Sequence, residues 1–191
     1  MKIAIAGSAG VGKTTLATAL ADKYKALLVK EQYEIFFNKD GGFLKSDKVL
    51  SSRITEVLDL KHKQESTMER VVSDRCPVDL FNLWLSRGFA RYQDETMALY
   101  KMCRSYVEKY DFIVVLPWGS IPLRQITDTG SKRVRVMNSW TQLHNHSSII
   151  GLCHQWVLPR KLIPVPNHIK GHELRVDYVV RKVSMSGHLC V

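Results

Sequence analysis

A glycine-rich stretch near the start of the chain carries residue types suited to holding phosphate groups. The pattern GxxxxGK[ST] is fitted by Gly7, Ser8, Ala9, Gly10, Val11, Gly12, Lys13 and Thr14, and Thr15 follows directly. Glycines let backbone N–H groups turn inward around a phosphate chain, and the helix that follows aims its positive end at the same anion. The Lys13 ammonium can reach the β- and γ-phosphates, and the Thr14 hydroxyl can ligate Mg²⁺. The stretch, including Thr15, therefore predicts a binding site for a nucleoside triphosphate.

Two carboxylates and an arginine follow the second and third predicted strands. Glu31 follows one of these strands, and the pair Asp74-Arg75 follows the other. In an open parallel sheet these positions lie at the same edge as the glycine-rich loop. Phosphoryl transfer needs one carboxylate to orient or deprotonate the attacking oxygen and another to hold Mg²⁺ directly or through water. We therefore predict catalytic roles for Lys13, Glu31 and Asp74, a metal site at Thr14 and Asp74, and an oxygen-binding role for Arg75.

Each acceptor-side residue also has a structural interpretation. Asp74 could cap the helix that follows it, and Arg75 could pair with Asp79. Glu31 could be a solvated strand end, with Glu34 in its place beside the acceptor. Tyr33 is predicted to contact the substrate, with burial in the core as the alternative.

The segment of residues 118–137 is basic and contains a glycine hinge at Gly130. Arg133 and Arg135 are candidate catalytic residues, because a closing lid could bring them onto the triphosphate and neutralise charge in the transition state. The alternative is a solvated basic loop. The sequence leaves open which arginine reaches the phosphates.

Short apolar strands alternate with amphipathic helices along the chain. Strands are predicted over residues 2–6, 26–30, 71–73, 111–116 and 162–165, and helices over residues 14–24, 46–70, 77–87, 93–109, 138–157 and 171–183. Pro164 cannot donate a ladder hydrogen bond, so the last strand is placed at a sheet edge. The pattern predicts an α/β fold with a five-stranded parallel sheet and helices on both faces. One domain is expected over residues 1–191, with the lid at 118–137.

Composition and charge narrow the class of protein. The chain has 191 residues, of which 45% are hydrophobic and 24% charged, which excludes disordered and collagen-like proteins. It has no apolar run of membrane-spanning length, no secretory leader and no CxxC pair among its four cysteines, so a cytoplasmic protein with reduced thiols is expected. The net charge is +10, and residues 117–191 hold ten basic and three acidic side chains. This bias favours a polyanionic partner, either nucleotide phosphates or nucleic acid.

Several motifs together resemble the nucleoside and nucleotide kinases of the thymidylate-kinase type. They are GSAGVGKT, VKE, SDRCPVDL, DFIVVLP and a final IPVP, and they occur in the family's order over most of the chain. The resemblance implies a P-loop NTPase fold, with ATP and Mg²⁺ as cofactors and a basic lid over the donor phosphates. It also implies that Glu31 lies beside the acceptor and that Arg75 holds acceptor oxygens. The lid of this family commonly carries more acidic residues, so the surplus of positive charge is a departure.

The sequence leaves two candidates for the acceptor of a kinase reaction. The leading interpretation is transfer of the γ-phosphoryl group of ATP to a deoxynucleoside monophosphate. The alternative is a hydroxyl on 5-hydroxymethyluracil within DNA, as in the phage hydroxymethyl-deoxyuridine DNA kinases that resemble thymidylate kinase, in which case the protein would act in the host cytoplasm. The basic C-terminal third, including Arg160 and Lys161, favours this DNA acceptor, because a mononucleotide carries only about two charges.

Two other functions share the glycine-rich loop. One is a P-loop ATPase that acts as a switch on a protein or nucleic-acid partner, and the other is a small-metabolite kinase of the nicotinamide-riboside type. A GTPase is excluded, because no NKxD segment follows the fourth strand. The expected partners are ATP and a nucleotide or DNA acceptor, with a homodimer as an option and no membrane.

Overall fold

A parallel sheet forms the centre of the protein in a computed structural model that describes residues 1–37, 44–120 and 138–187. Its five strands are β1 (Lys2–Ala6), β2 (Leu27–Val29), β3 (Val71–Asp74), β4 (Phe112–Val115) and β5 (Leu162–Pro164). Their order in space is β2-β3-β1-β4-β5, and every pairing is parallel. This confirms the predicted α/β fold, including the edge position of β5. Because β1 is central, the loop that follows it opens at the middle of the carboxyl edge.

Helices cover both faces of the sheet, as predicted. The α-helices are α1 (Lys13–Tyr24), α2 (Asp47–Ser66), α3 (Pro77–Ser86), α4 (Gln93–Val107), α5 (Ser139–Trp156) and α6 (His172–Met185). One apolar core joins β1 residues such as Ile3 and Ile5 to α1 and α6. The other core lies on the opposite face, where Ala4 and Ile113 pack with α2, α3, α4 and α5. Alternate residues of one strand thus serve the two cores, as the period of a strand requires.

Local capping fixes where the helices near the carboxyl edge begin. In α3, Pro77 occupies the first turn and the Asp79 carboxylate accepts a hydrogen bond of 3.0 Å from the Cys76 N–H. In α5, the Asn138 side chain accepts hydrogen bonds from the N–H groups of Trp140 and Thr141, at 2.9 and 3.1 Å. Such caps satisfy N–H groups that have no partner within the helix.

Two local details differ from the sequence prediction. Helix α2 ends at Ser66 rather than at residue 70, because the chain must extend before β3, and the Arg70 carbonyl accepts a hydrogen bond from the Leu27 N–H of the neighbouring strand. Short 3-10 helices, which the sequence pattern did not predict, cover Tyr33–Phe36, Phe89–Arg91 and Pro159–Lys161. A 3-10 turn of three or four residues is too short to show a hydrophobic period.

The parts of the chain that the structure describes contain no helix long and apolar enough to cross a membrane.

Candidate active site at the carboxyl edge of the sheet

The glycine-rich loop, residues 7–14, connects the end of β1 to α1. Positive φ angles of 144°, 79° and 92° occur at Gly7, Gly10 and Gly12. Side chains disfavour these conformations, and a Cβ on Gly7 would also lie 3.1 Å from the Leu116 carbonyl oxygen. The backbone of the loop is therefore curled in the way that lets successive N–H groups face an anion.

Side chains from α3 and α5 accept hydrogen bonds from the backbone of this loop. The Gly7 N–H donates to Asp79 Oδ1 at 3.2 Å, and the Ala9 N–H donates to Gln142 Oε1 at 3.0 Å. Both side chains are buried. From the sequence, Asp79 was expected only as an ion-pair partner. Gln142 was missed, because one buried glutamine in a first helical turn leaves no periodic signal.

Arg175 on α6 supports the loop from a third direction. Its Nη1 atom donates to the Val11 carbonyl oxygen at 2.7 Å, and its Nη2 atom donates to Ser120 Oγ at 2.5 Å. Its Nε group donates to the Ile169 carbonyl oxygen at 3.1 Å. The sequence did not single out this residue, because an arginine on an amphipathic helix is usually solvent-exposed.

The Lys13 side chain lies within the loop and is only 5% exposed. Its ammonium donates to the Ser8 carbonyl oxygen at 2.6 Å. Burial, helped by the nearby positive charge of Arg75, lowers the pKa of Lys13 to about 8. The Ser8 hydroxyl is buried without a hydrogen-bond partner in the described part of the chain. A desolvated cation and a buried hydroxyl in a curled loop suit an anion such as a phosphate chain.

Thr14 and Asp74 lie together where the sequence predicts a metal. The Thr14 hydroxyl donates to Asp74 Oδ2 at 2.6 Å, and Asp74 is 1% exposed. The other oxygen, Oδ1, is buried without a hydrogen-bond partner in the described ranges. Mg²⁺ usually takes one or two protein oxygens and completes its octahedron with phosphate oxygens and water. Among the described residues, a carboxylate oxygen without a partner lies beside a hydroxyl at the glycine-rich loop, and this arrangement fits Mg²⁺.

The helix-capping interpretation of Asp74 is wrong. The residue before α3 is Cys76, and the carboxylate that accepts its N–H belongs to Asp79. The Asp74 side chain points instead to Thr14 at the start of α1. The Asp74 carboxylate therefore contacts the end of the glycine-rich loop and does not cap α3.

The Arg75 guanidinium contacts the other acceptor-side residues. Its Nε group donates to Glu31 Oε2 in a short ion pair, and its NH1 group lies 3.5 Å from Asp79 Oδ1. The guanidinium also lies over the ring of Tyr33, 4.1 Å from its centroid. The Tyr33 hydroxyl is buried and has no hydrogen-bond partner in the described chain. The structure thus shows the Asp79 pairing considered from the sequence and adds Glu31 and Tyr33 to it.

Lys61 on α2 ties together the ends of the two strands that lead into this cluster. Its ammonium donates to the carbonyl oxygens of Asp74 at 2.9 Å and Val29 at 3.5 Å, the last residues of β3 and β2. Glu65, one turn further along α2, lies 3.8 Å away. Burial lowers the pKa of Lys61, and the Glu65 charge opposes this. One usable signal was present in the sequence, because Lys61 and Glu65 continue the apolar stripe of α2 on its buried side.

The predicted site residues fall into three groups. Those at the carboxyl edge are residues 7–12 of the loop, Lys13, Thr14, Glu31, Tyr33, Asp74 and Arg75. The charges of Arg75, Asp79, Glu31 and Asp74 all act on Lys13. Thr15 lies on α1 and is exposed. Arg133 and Arg135, together with residues 121–137 of the predicted lid, lie outside the described residues.

The sequence profile of a family described as AAA domain matches residues 2–148. The chain belongs to this family. The matched part of this AAA-domain protein contains the glycine-rich loop and all acceptor-side residues that the structure describes. No curated protein sequence is significantly similar to the chain.

Solved structures share the fold of this AAA-domain protein. Deoxyadenosine kinase from M. mycoides, with dCMP and dCDP bound, has 16% sequence identity and a TM-score of 0.67, over 97% of this chain and 99% of its own. Thymidylate kinase from Candida albicans has 16% identity and a TM-score of 0.65, over 97% of this chain and 92% of its own. Shikimate kinase from Acinetobacter baumannii, in complex with shikimate, has 17% identity and a TM-score of 0.56, over 98% of this chain and 94% of its own.

These similarities confirm the resemblance to P-loop nucleoside and nucleotide kinases at the level of the fold. The shikimate kinase shows that the same fold serves an acceptor that is not a nucleotide. The acceptor must therefore be argued from the side chains of the site.

Proposed function

We propose that the protein is an ATP-dependent kinase that transfers the γ-phosphoryl group to the hydroxyl of a nucleoside-type acceptor. The observation that carries this proposal is the Glu31–Arg75 ion pair at the sheet edge that also bears the glycine-rich loop. An ATPase switch needs no second cluster of charged groups beside its phosphate site. A kinase does, because it must bind and orient an attacking oxygen.

The donor side of the site suits the triphosphate of ATP. The Lys13 ammonium and N–H groups of the loop other than those of Gly7 and Ala9 would bind the phosphate oxygens, as is usual for this motif. Thr14 and Asp74 would hold Mg²⁺, which neutralises charge that develops on the phosphates. Arg133 and Arg135 are proposed to add further positive charge from the lid.

Glu31 is the proposed base on the acceptor side. Its carboxylate is partly exposed and held by the Arg75 guanidinium, so it keeps a fixed position while remaining accessible. It would accept the hydrogen bond of the attacking hydroxyl and take its proton as the new O–P bond forms and the bond between the γ-phosphorus and the departing ADP oxygen breaks. Arg75 would contact oxygens of the acceptor, and next to it lies the buried Tyr33 hydroxyl, which has no hydrogen-bond partner among the described residues.

The charge balance around Arg75 favours a hydroxyl acceptor over a phosphomonoester. Two carboxylates, Glu31 and Asp79, already face this one guanidinium. A mononucleotide would bring about two further negative charges to a cluster whose cation is already neutralised. A nucleoside hydroxyl, or the hydroxymethyl group of a modified base in DNA, adds none. The deoxynucleoside monophosphate favoured from the sequence therefore becomes the alternative acceptor.

The basic residues before β5 do not support a DNA acceptor. Arg160 and Lys161 directly precede β5, and the Lys161 ammonium bonds the Tyr110 carbonyl oxygen, just before β4, at 2.9 Å. Both strands begin there, so these side chains lie at the amino edge of the sheet, opposite the proposed site. DNA contacts at the active site would have to come from other basic residues.

The proposal is tested by incubating the protein with γ-labelled ATP, Mg²⁺ and a panel of acceptors. The panel contains nucleosides, mononucleotides, and duplexes with and without 5-hydroxymethyluracil. We expect label in a nucleoside or in the hydroxymethylated duplex. Label only in mononucleotides would restore the alternative acceptor. Steady ATP hydrolysis with no labelled acceptor would reject the kinase and favour the ATPase switch.

A further inference from the structure

Arg175 places a buried positive charge against the backbone of the glycine-rich loop. The residue is 2% exposed, and its three donors all reach uncharged oxygens, those of Val11, Ser120 and Ile169. It forms no ion pair with a carboxylate within the described ranges. Burial lowers its pKa, yet an arginine stays charged in proteins. An unpaired buried cation is unfavourable by itself and is relieved when an anion binds nearby.

The hydrogen bond to Val11 also fixes the orientation of one loop peptide. The C=O and N–H groups of a trans peptide point in opposite directions, and the described chain contains no cis peptide. Because the Val11 carbonyl points to the Arg175 guanidinium, the Gly12 N–H of the same peptide points away from it. The φ of 92° at Gly12 is compatible with this turn. A hydrogen bond to the carbonyl also polarises the peptide and strengthens its N–H as a donor.

We propose that Arg175 is a positioning residue for the triphosphate donor, acting through the Val11–Gly12 peptide. The inference rests on the proposed function. It extends that function to α6, which lies far along the chain from the loop and outside the matched residues 2–148. A purely structural arginine would hold α6 and the residues after β4 in place. It would not change how tightly the loop binds phosphate.

The test compares three variants of the full chain by calorimetric titration with Mg·ATP and with inorganic tripolyphosphate, without acceptor. Arg175→Met removes the contact to the loop. Ser120→Ala removes a different contact of the same guanidinium and leaves the Val11 bond in place. Arg181→Met makes the same change of charge at an exposed position of α6. The melting temperature of each ligand-free variant is measured in parallel.

We expect Arg175→Met to weaken the binding of both ligands by about tenfold or more, because the loop loses an oriented donor. In turnover, KM for ATP should rise by a similar factor and kcat should change by less than about twofold, since the same N–H serves ground and transition states. Ser120→Ala should lower the melting temperature and leave both affinities within about twofold. Arg181→Met should change neither the melting temperature nor the affinity for either ligand.

Unchanged affinity for tripolyphosphate in Arg175→Met, in a wild-type background that binds ATP, would overturn this inference alone. An equal loss of affinity in Ser120→Ala would also overturn it, because the effect would then be general loosening. If Arg175→Met does not fold, Arg175→Lys replaces it and should lose at least about threefold, because an ammonium cannot hold three separated oxygens. Failure of the wild type to bind ATP would reject the proposed function itself.

Discussion

In the proposed function, Lys13 is the side chain on which binding of the ATP phosphates and transfer of the γ-phosphoryl group depend most. It is desolvated against the Ser8 carbonyl, and burial lowers its pKa to about 8 in the ligand-free protein. A bound triphosphate favours the charged form and should raise that pKa. Binding should therefore draw a proton from solution near pH 8 and draw none near pH 6.5, where Lys13 is already protonated.

This proton uptake can be measured by titrating Mg·ATP into the protein in buffers of different ionisation enthalpy. We expect uptake of about half a proton per ATP at pH 8, and affinity that falls as the pH rises above 8. Lys13→Met should abolish the uptake and reduce phosphoryl transfer by about a thousandfold. Lys23→Met, at an exposed position of the same helix, should do neither. Equal uptake at both pH values would contradict the role of Lys13.

In the proposed function, Arg75 binds the acceptor rather than the phosphates of ATP. We expect Arg75→Ala to raise KM for the best acceptor by at least about tenfold, because it removes a fork of donors and releases Glu31. The affinity for Mg·ATP should stay within about twofold. Arg104→Ala, exposed in the last turn of α4, is the matched control. Loss of ATP affinity with unchanged acceptor KM would contradict the division of the site.

At the scale of secondary-structure elements, Lys61 links α2 to the ends of β2 and β3. Lys61→Met should lower the free energy of unfolding by about 3 kcal/mol, because it leaves buried carbonyls and Glu65 without their cation. KM for the acceptor should also rise, since both strand ends lead into the acceptor cluster. Lys63→Met, on the same helix, gives the control. Denaturant unfolding that is equal for the two variants would contradict this role.

The elements were largely predictable because each carries its own periodic signal. The buried strand at residues 112–115, the Pro164 edge strand and the start of α3 at Pro77 follow from hydrophobic pattern and proline chemistry. The 3-10 turn at Tyr33–Phe36 was not predictable, yet it brings the Tyr33 ring under Arg75. The position of Glu31, Asp74 and the loop at one sheet edge was predictable, because each lies at or just after the end of a strand. Gln142, Lys61 and Arg175 were missed because they act through tertiary contacts.

At the scale of the whole molecule, the positive charge of residues 117–191 is not all at the site. Arg160 and Lys161 lie at the amino edge of the sheet. Alanine at both positions should flatten the log–log salt dependence of duplex binding by about one unit for each DNA phosphate that these side chains neutralise. Turnover on the preferred acceptor should not change. A fall in turnover that occurs only with DNA as the acceptor would contradict the assignment of these residues to the sheet edge opposite the site.

The proposed kinase activity depends on Glu31 acting on an acceptor. The most direct measurement is single-turnover transfer from γ-labelled ATP to the best acceptor by the wild type, Glu31→Gln and Glu34→Gln. Glu34 is the matched control, because it is an exposed carboxylate three residues away. We expect Glu31→Gln to slow transfer by at least about a hundredfold while Mg·ATP affinity stays unchanged, and Glu34→Gln to transfer at the wild-type rate. Wild-type transfer by Glu31→Gln, or release of inorganic phosphate alone by the wild type, would contradict the proposed activity.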